Sequence, residues 1–188
     1  INLIQIPSLL SRQSFLLEAA VKTGLPVNVK KGQFLSAFDM RNVAKKMDSY
    51  GCKDYFFTDR GACWGHGMLV NDFIDFADMR QYAKTIFDAS HSTQRRIPNS
   101  ETTSGRPDMV ETLAKCAIVT GCDGIFIESH HFPSKALSDA SIAYPFTSLF
   151  SIALCAIVCN SPLSSPFEVF IISSFSFLIF SFISGWNA

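Results

Sequence analysis

The sequence predicts an α/β chain: a partial (β/α)8 barrel of about the last five strand–helix units, followed by an apolar tail. Three observations carry that expectation. Five short apolar runs recur, at residues 3–7, 26–30, 54–59, 85–88 and 124–128, each ending in a residue able to carry charge or a hydrogen bond. Helix-like segments separate several of them, the alternation a parallel sheet with crossover helices requires. The 188 residues are enough for one sizeable core but short of the roughly 250 typical of a closed eight-stranded barrel.

The first run, Leu3 to Pro7, leads into a helix expected from Ser11 as N-cap to Thr23, with Phe15, Leu16, Ala19 and Ala20 inward and Gly24 as its stop. Pro26 to Lys30 forms the second strand. Ser36 and Asp39 have capping-box spacing before a helix with Met40, Val43, Ala44 and Met47 on one face, and Gly51 closes it. After the strand Asp54 to Asp59 comes a glycine-rich turn, Gly61 to Gly67, then a less regular apolar segment, Met68 to Tyr82. Thr85 to Asp88 is the fourth strand. Residues 92–107 are polar, contain Pro98, Gly105 and Pro107, and read as a long loop of the kind that covers a site. A helix from Asp108 to Thr120, closed by Gly121, precedes the fifth strand, Gly124 to Glu128.

Charge divides the chain. The 16 Lys and Arg balance the 16 Asp and Glu, so composition gives no argument for a nucleic-acid partner. After Asp139 the only Asp, Glu, Lys or Arg is Glu168. Residues 1–146 therefore read as the barrel domain and 147–188 as a Phe/Ser-rich tail. Its apolar runs, at 146–159 and 167–183, fall below the ~20 residues of a usual membrane span, so a membrane tether is the lesser expectation. The six cysteines show neither CxxC nor zinc-finger spacing, which suits a reduced, intracellular protein with unpaired thiols. The opening on a strand-like run without Met suggests that an N-terminal portion is missing.

Two constellations stand where a parallel barrel places chemistry, at strand carboxyl ends. Lys30, with Lys31 and Arg60 as companions, suits a phosphate or carboxylate, lysine as a point charge and arginine as a planar fork. His91, Glu128 and Asp139 offer the mixed N/O donors that a divalent Fe, Zn or Mn ion takes, although nothing in their spacing unites them. His130 and His131 compete for that role but lie beyond the expected strand end. No Walker loop, GxGxxG, GxSxG or HExxH occurs.

Segments IQIP (4–7), RQ (12–13), KTGLPVNVKKGQFLS (22–36), DRGACWGHGMLVND (59–72), IFDASHSTQ (86–94), GCDGIFIESH (121–130) and KALSDAS (135–141) resemble the 3-deoxy-D-manno-octulosonate-8-phosphate synthase family, over about residues 1–146. The resemblance implies the last five strands of an eight-stranded barrel. It implies condensation of phosphoenolpyruvate with arabinose 5-phosphate, releasing phosphate. Carried across by position, Lys30 and Arg60 would grip phosphoenolpyruvate, while Gln5, Pro7 and Ser8 would form the pocket floor. Asn28 would orient the sugar phosphate, and Gln94 would sit beside His91 on the site loop. His91, Glu128 and Asp139 would be the metal positions, with Lys30, His91 and Asp139 catalytic. A related synthase using another sugar phosphate, or an inactive or partner-dependent fragment, is the alternative. The family further implies a homo-tetramer, no organic cofactor, and a cytoplasmic location, organellar in a plastid-bearing eukaryote. The chain departs from the family pattern at Thr103–Asp108, at His130–Pro133 and beyond Pro145, and lacks the family's first three strands.

Overall fold

A computed structural model describes residues 2–96, 104–136, 139–159, 167–173 and 176–182. Five parallel strands form the body of the sheet: β1 (Ile4–Ile6), β2 (Val27–Lys30), β3 (Tyr55–Asp59), β4 (Lys84–Asp88) and β5 (Gly124–His130). Helices α1 (Ser14–Val21), α2 (Ala37–Ser49), α3 (Phe73–Met79) and α4 (Val110–Thr120) return the chain between successive strands, and each packs beside the next. A two-residue strand β6 (Tyr144–Pro145) pairs with Ser129 and His130 at the carboxyl end of β5, off the main sheet path, and α5 (Leu149–Cys159) packs on α4. The result is a curled, open part of a (β/α) barrel.

Strand parity assigns the side chains. The alternation of a strand sends Val27, Val29, Phe57, Phe87, Ile125 and Ile127 outward against the helices, where all are fully or almost fully buried. The opposite parity sends Gln5, Asn28, Lys30, Phe56, Thr58, Ile86, Asp88, Phe126 and Glu128 to the concave side. There Ile86, Phe126 and Phe56 make a small apolar plug of their own beneath the polar groups. The register aligns Lys30 with Thr58, Thr58 with Ile86, and Asp88 with Phe126, so the polar positions collect at one end.

Local chemistry explains several helix ends. Ser36 accepts from the Asp39 backbone N–H while Asp39 accepts from Ser36, completing the expected capping box of α2. Met40, Val43, Ala44 and Met47 are buried as the spacing requires. Gly121 caps α4 at φ 91°, a left-handed conformation costly to any residue with a Cβ.

Other elements differ from expectation. Ser11 does not cap α1: its hydroxyl donates to the Ser8 carbonyl (2.9 Å) inside a 3-10 turn, and Gln13 occupies the cap position. Starting the helix there turns Leu17 and Ala20 inward and leaves Phe15 73% exposed. The irregular segment after Met68 contains a true helix, α3, begun by Asp72, whose carboxylate accepts from the Ile74 and Asp75 N–H groups. Strand β5 runs on through His130. The tail adds two strands: β7 (Phe167–Ser173) lies parallel to β5, making six parallel strands, and β8 (Ser176–Phe182) returns antiparallel to it. No described helix is long and apolar enough to cross a membrane. The expected loop over 92–107 is described only at its ends, and residues 97–103, 137 and 138 lie outside the described residues.

Candidate active site

The concave face carries a continuous polar ladder. Asn28 Nδ2 donates to Gln5 Oε1 (3.0 Å), and Thr58 Oγ1 donates to Asn28 Oδ1 (2.7 Å), linking β1, β2 and β3. Each partner is fixed by the next, so Asn28 has one orientation, with its amide oxygen toward β3. Pro7 and Ser8 follow β1 directly, and Ser8 is buried.

Above the ladder Lys30 is 5% exposed, and its ammonium lies 2.7 Å from Asp88 Oδ2 and 4.0 Å from the centre of the Phe126 ring. Asp88 is the residue sequence reasoning missed. It reads as an ordinary polar strand end, but parity turns it inward, where it is fully buried and serves two partners. Its carboxylate faces His91 Nδ1 at 2.9 and 3.1 Å and accepts from the His91 backbone N–H at 2.9 Å. Burial alone pushes this acid up. The Lys30 ammonium, then the His91 ring, and hydrogen bonds from both outweigh it and hold the carboxyl well below the usual range. An ionised carboxylate only accepts, so His91 Nδ1 carries the proton and Nε2 is the free ring position.

Arg60 follows β3. Its guanidinium donates to Gln94 Oε1, while its Nε is buried without a partner. Burial lowers the Arg60 pKa, and Asp88, Asp139 and Asp59 oppose the change. Glu128 is raised chiefly by burial, with Asp139 and Asp88 adding to the rise and His91 and Lys30 opposing it. Its backbone N–H donates to the Ser90 hydroxyl at 2.8 Å. Asp139 is the only described non-glycine residue at positive φ (53°), and its carbonyl accepts from both Ile142 and Ala143 N–H at 2.9 Å. Gly105 holds this turn close: a Cβ there would lie 2.2 Å from Ile142 Cγ2.

The structure thus gathers Gln5, Asn28, Lys30, Arg60, His91, Gln94, Glu128 and Asp139 at one end of the sheet. Lys31 does not join them. Odd parity turns it outward, 2% exposed, with its ammonium 3.3 Å from Asp59 and donating to the Leu35 carbonyl at 2.9 Å. His130 instead accepts from the Phe132 N–H (2.9 Å) in a local turn. A divalent ion fits the His91, Glu128 and Asp139 donors in kind, with the imidazole oriented by a buried carboxylate. No three described His, Cys, Asp or Glu side chains already converge on a single ion position.

Residues 1–156 match the DAHP synthetase I family. Among curated proteins, the chain is 45% identical over 150 residues to a 2-dehydro-3-deoxyphosphooctonate aldolase of Trichlorobacter lovleyi, covering 79% of this chain and 55% of that protein. It is 43% identical over 155 residues to the same-named protein of Rickettsia prowazekii, covering 82% and 56%. For that of Rickettsia bellii the identity is 46% over 140 residues, covering 74% and 51%. The chain spans about half the length of the curated relatives it matches.

Proposed function

We propose that this chain, which belongs to the DAHP synthetase I family, forms the carboxyl-terminal half of a carbon–carbon bond-forming synthase. Its reaction is the condensation of phosphoenolpyruvate with arabinose 5-phosphate, giving 3-deoxy-D-manno-octulosonate 8-phosphate and inorganic phosphate. The observation that carries the reading is the buried array Lys30–Asp88–His91 beside Arg60, whose Nε has no protein partner. A buried guanidinium donor left free at a strand end is what an anionic ligand would satisfy.

In this reading Lys30 and Arg60 bind the phosphate and carboxylate of phosphoenolpyruvate, and Gln5, Pro7 and Ser8 form the floor beneath it. Asn28, held by Gln5 and Thr58, orients the sugar phosphate. Gln94 holds the Arg60 fork in place. Asp88 aims the Lys30 ammonium, and keeps the His91 proton on Nδ1, so Nε2 is available to a ligand or an attacking water. His91 Nε2, Glu128 and Asp139 would hold a divalent Fe, Zn or Mn ion, which when bound would supply Lewis-acid polarisation at the carbonyl or water. The burial-raised Glu128 favours accepting a proton or a cation at that place. The strained backbone of Asp139 fits a positioned functional group. The reading carries with it a homo-oligomer, tetrameric in the complete protein, and a cytoplasmic setting.

Phosphate release from phosphoenolpyruvate by the purified protein tests this directly, with arabinose 5-phosphate and then with erythrose 4-phosphate, each with and without chelator. Release that needs arabinose 5-phosphate and disappears in Lys30→Met supports it. Preference for erythrose 4-phosphate assigns the related synthase instead. A second reading, in which the half-barrel needs a partner chain, is favoured by β1, which pairs among described strands only with β2. Release appearing only after mixing with an amino-terminal half of a relative would establish it.

A further inference from the structure

The ladder between β4 and β5 stops one step short of the candidate site. Asp88 pairs with Phe126, and the Ala89 N–H donates to the Phe126 carbonyl at 3.0 Å, as a parallel register requires. Continued regularly, that ladder would send the Glu128 N–H to the Ala89 carbonyl and the His91 N–H to the Glu128 carbonyl. Side chains take those places instead. The Glu128 N–H donates to Ser90 Oγ (2.8 Å), the His91 N–H donates to Asp88 Oδ1 (2.9 Å), and the Ala89 carbonyl accepts from Ser92 Oγ (3.2 Å). This exchange lets the chain leave β4 in the 3-10 turn His91–Thr93 while β5 continues through His130.

Ser90 is the centre of the exchange. It is fully buried, and its carbonyl accepts from both the Thr93 N–H (3.1 Å) and Thr93 Oγ1 (2.8 Å). The same Thr93 Oγ1 borders Gly105, where an added Cβ would lie 3.3 Å from it as well as against Ile142. Ile142 donates its N–H to the Asp139 carbonyl. One buried hydroxyl therefore joins the His91 turn to the Glu128 strand, and the turn it anchors packs toward the segment that carries Asp139.

We propose that Ser90 is a positioning residue: by accepting from the Glu128 N–H it fixes β5 against the His91 turn, and so sets the separation at which His91 Nε2 and the Glu128 carboxylate hold a divalent cation. The inference rests on the metal part of the function proposed above. Ser90 does not touch the ion and acts only through the Glu128 peptide. Without the hydroxyl, the Glu128 N–H becomes a buried donor with no acceptor, which the peptide relieves by shifting. Groups that orient metal ligands from behind alter affinity by about ten- to a hundred-fold. Threonine keeps the acceptor and adds one methyl group.

Calorimetric titration of the intact chain with zinc alone tests this in the wild type, Ser90→Ala, Ser90→Thr and His91→Ala, each checked for folding by circular dichroism. The wild type should bind and His91→Ala should lose that binding. Ser90→Ala should bind at least roughly ten-fold more weakly, and Ser90→Thr should recover most of the loss. Hydrogen exchange at the Glu128 amide, which needs no metal, should be faster in Ser90→Ala and slow again in Ser90→Thr. Wild-type zinc affinity in folded Ser90→Ala, with binding lost in His91→Ala, overturns the positioning role and leaves the metal reading standing. Ser90→Thr as weak as Ser90→Ala overturns it too. Equal affinity in the wild type and His91→Ala, or no binding in either, overturns the metal reading and this inference together.

Discussion

Asp88 Oδ2 lies 2.7 Å from Lys30 Nζ, and the same carboxylate lies 2.9 Å from His91 Nδ1, with Asp88 wholly withdrawn from solvent. One buried acid therefore orients both the cation and the imidazole of the candidate site. Replacing it by Asn keeps the shape but removes the charge that both partners face. The ring of His91 should lose its single tautomer, read as a shift of the Nδ1 resonance in a 15N-histidine spectrum. An unchanged spectrum would remove Asp88 from its positioning role.

Lys30→Met leaves Asp88 buried with only His91 beside it. Breaking a buried pair at one partner costs about 3–5 kcal/mol, so urea denaturation should show a loss of that order. Restoring neutrality with Lys30→Met/Asp88→Leu should recover part of it. Additive losses would show that the two charges are not coupled.

Lys31→Met should destabilise comparably, since it strips Asp59 of its buried ammonium. It should nevertheless leave anion binding at the strand ends intact, because Lys31 points to the helices. Weakened phosphoenolpyruvate binding in a folded Lys31→Met protein would place that lysine in the site after all.

The two buried acids act oppositely on stability with pH. Asp88 is depressed in the folded state, so its contribution is present above its unfolded value near 3.8 and is lost as pH falls through its lower folded value. Glu128 is raised above 4.5, so stability falls as pH climbs from there through its folded value. Glu128→Gln should therefore be the more stable protein at neutral pH and lose that advantage in acid. A melting temperature difference independent of pH would contradict the burial of an ionisable Glu128.

Much of this arrangement was legible in the residues. The apolar runs ending in Lys30 and Glu128 marked both as strand ends, and the Ser36–Asp39 spacing marked a helix start that the structure contains. Asp88 was hidden because a strand-end acid looks the same whether it faces water or a lysine 58 residues earlier in the chain. Lys31 misled for the converse reason: adjacent lysines on a strand point to opposite faces. Helix α3 is only 7 residues long, too short for its period to show. The tail strands were obscured because an apolar run has no periodicity to separate strand from helix, and its pairing with β5 is a long-range fact.

The most direct test of the account is phosphoenolpyruvate binding to the purified chain, followed by its 31P resonance in the wild type, Lys30→Met and Arg60→Met. The account predicts a shifted, broadened resonance in the wild type and at least roughly ten-fold weaker binding in either variant, as loss of a charge-assisted hydrogen bond implies. Binding to all three folded proteins with equal affinity would contradict it, because the buried cations at the strand ends would then not be the anion site.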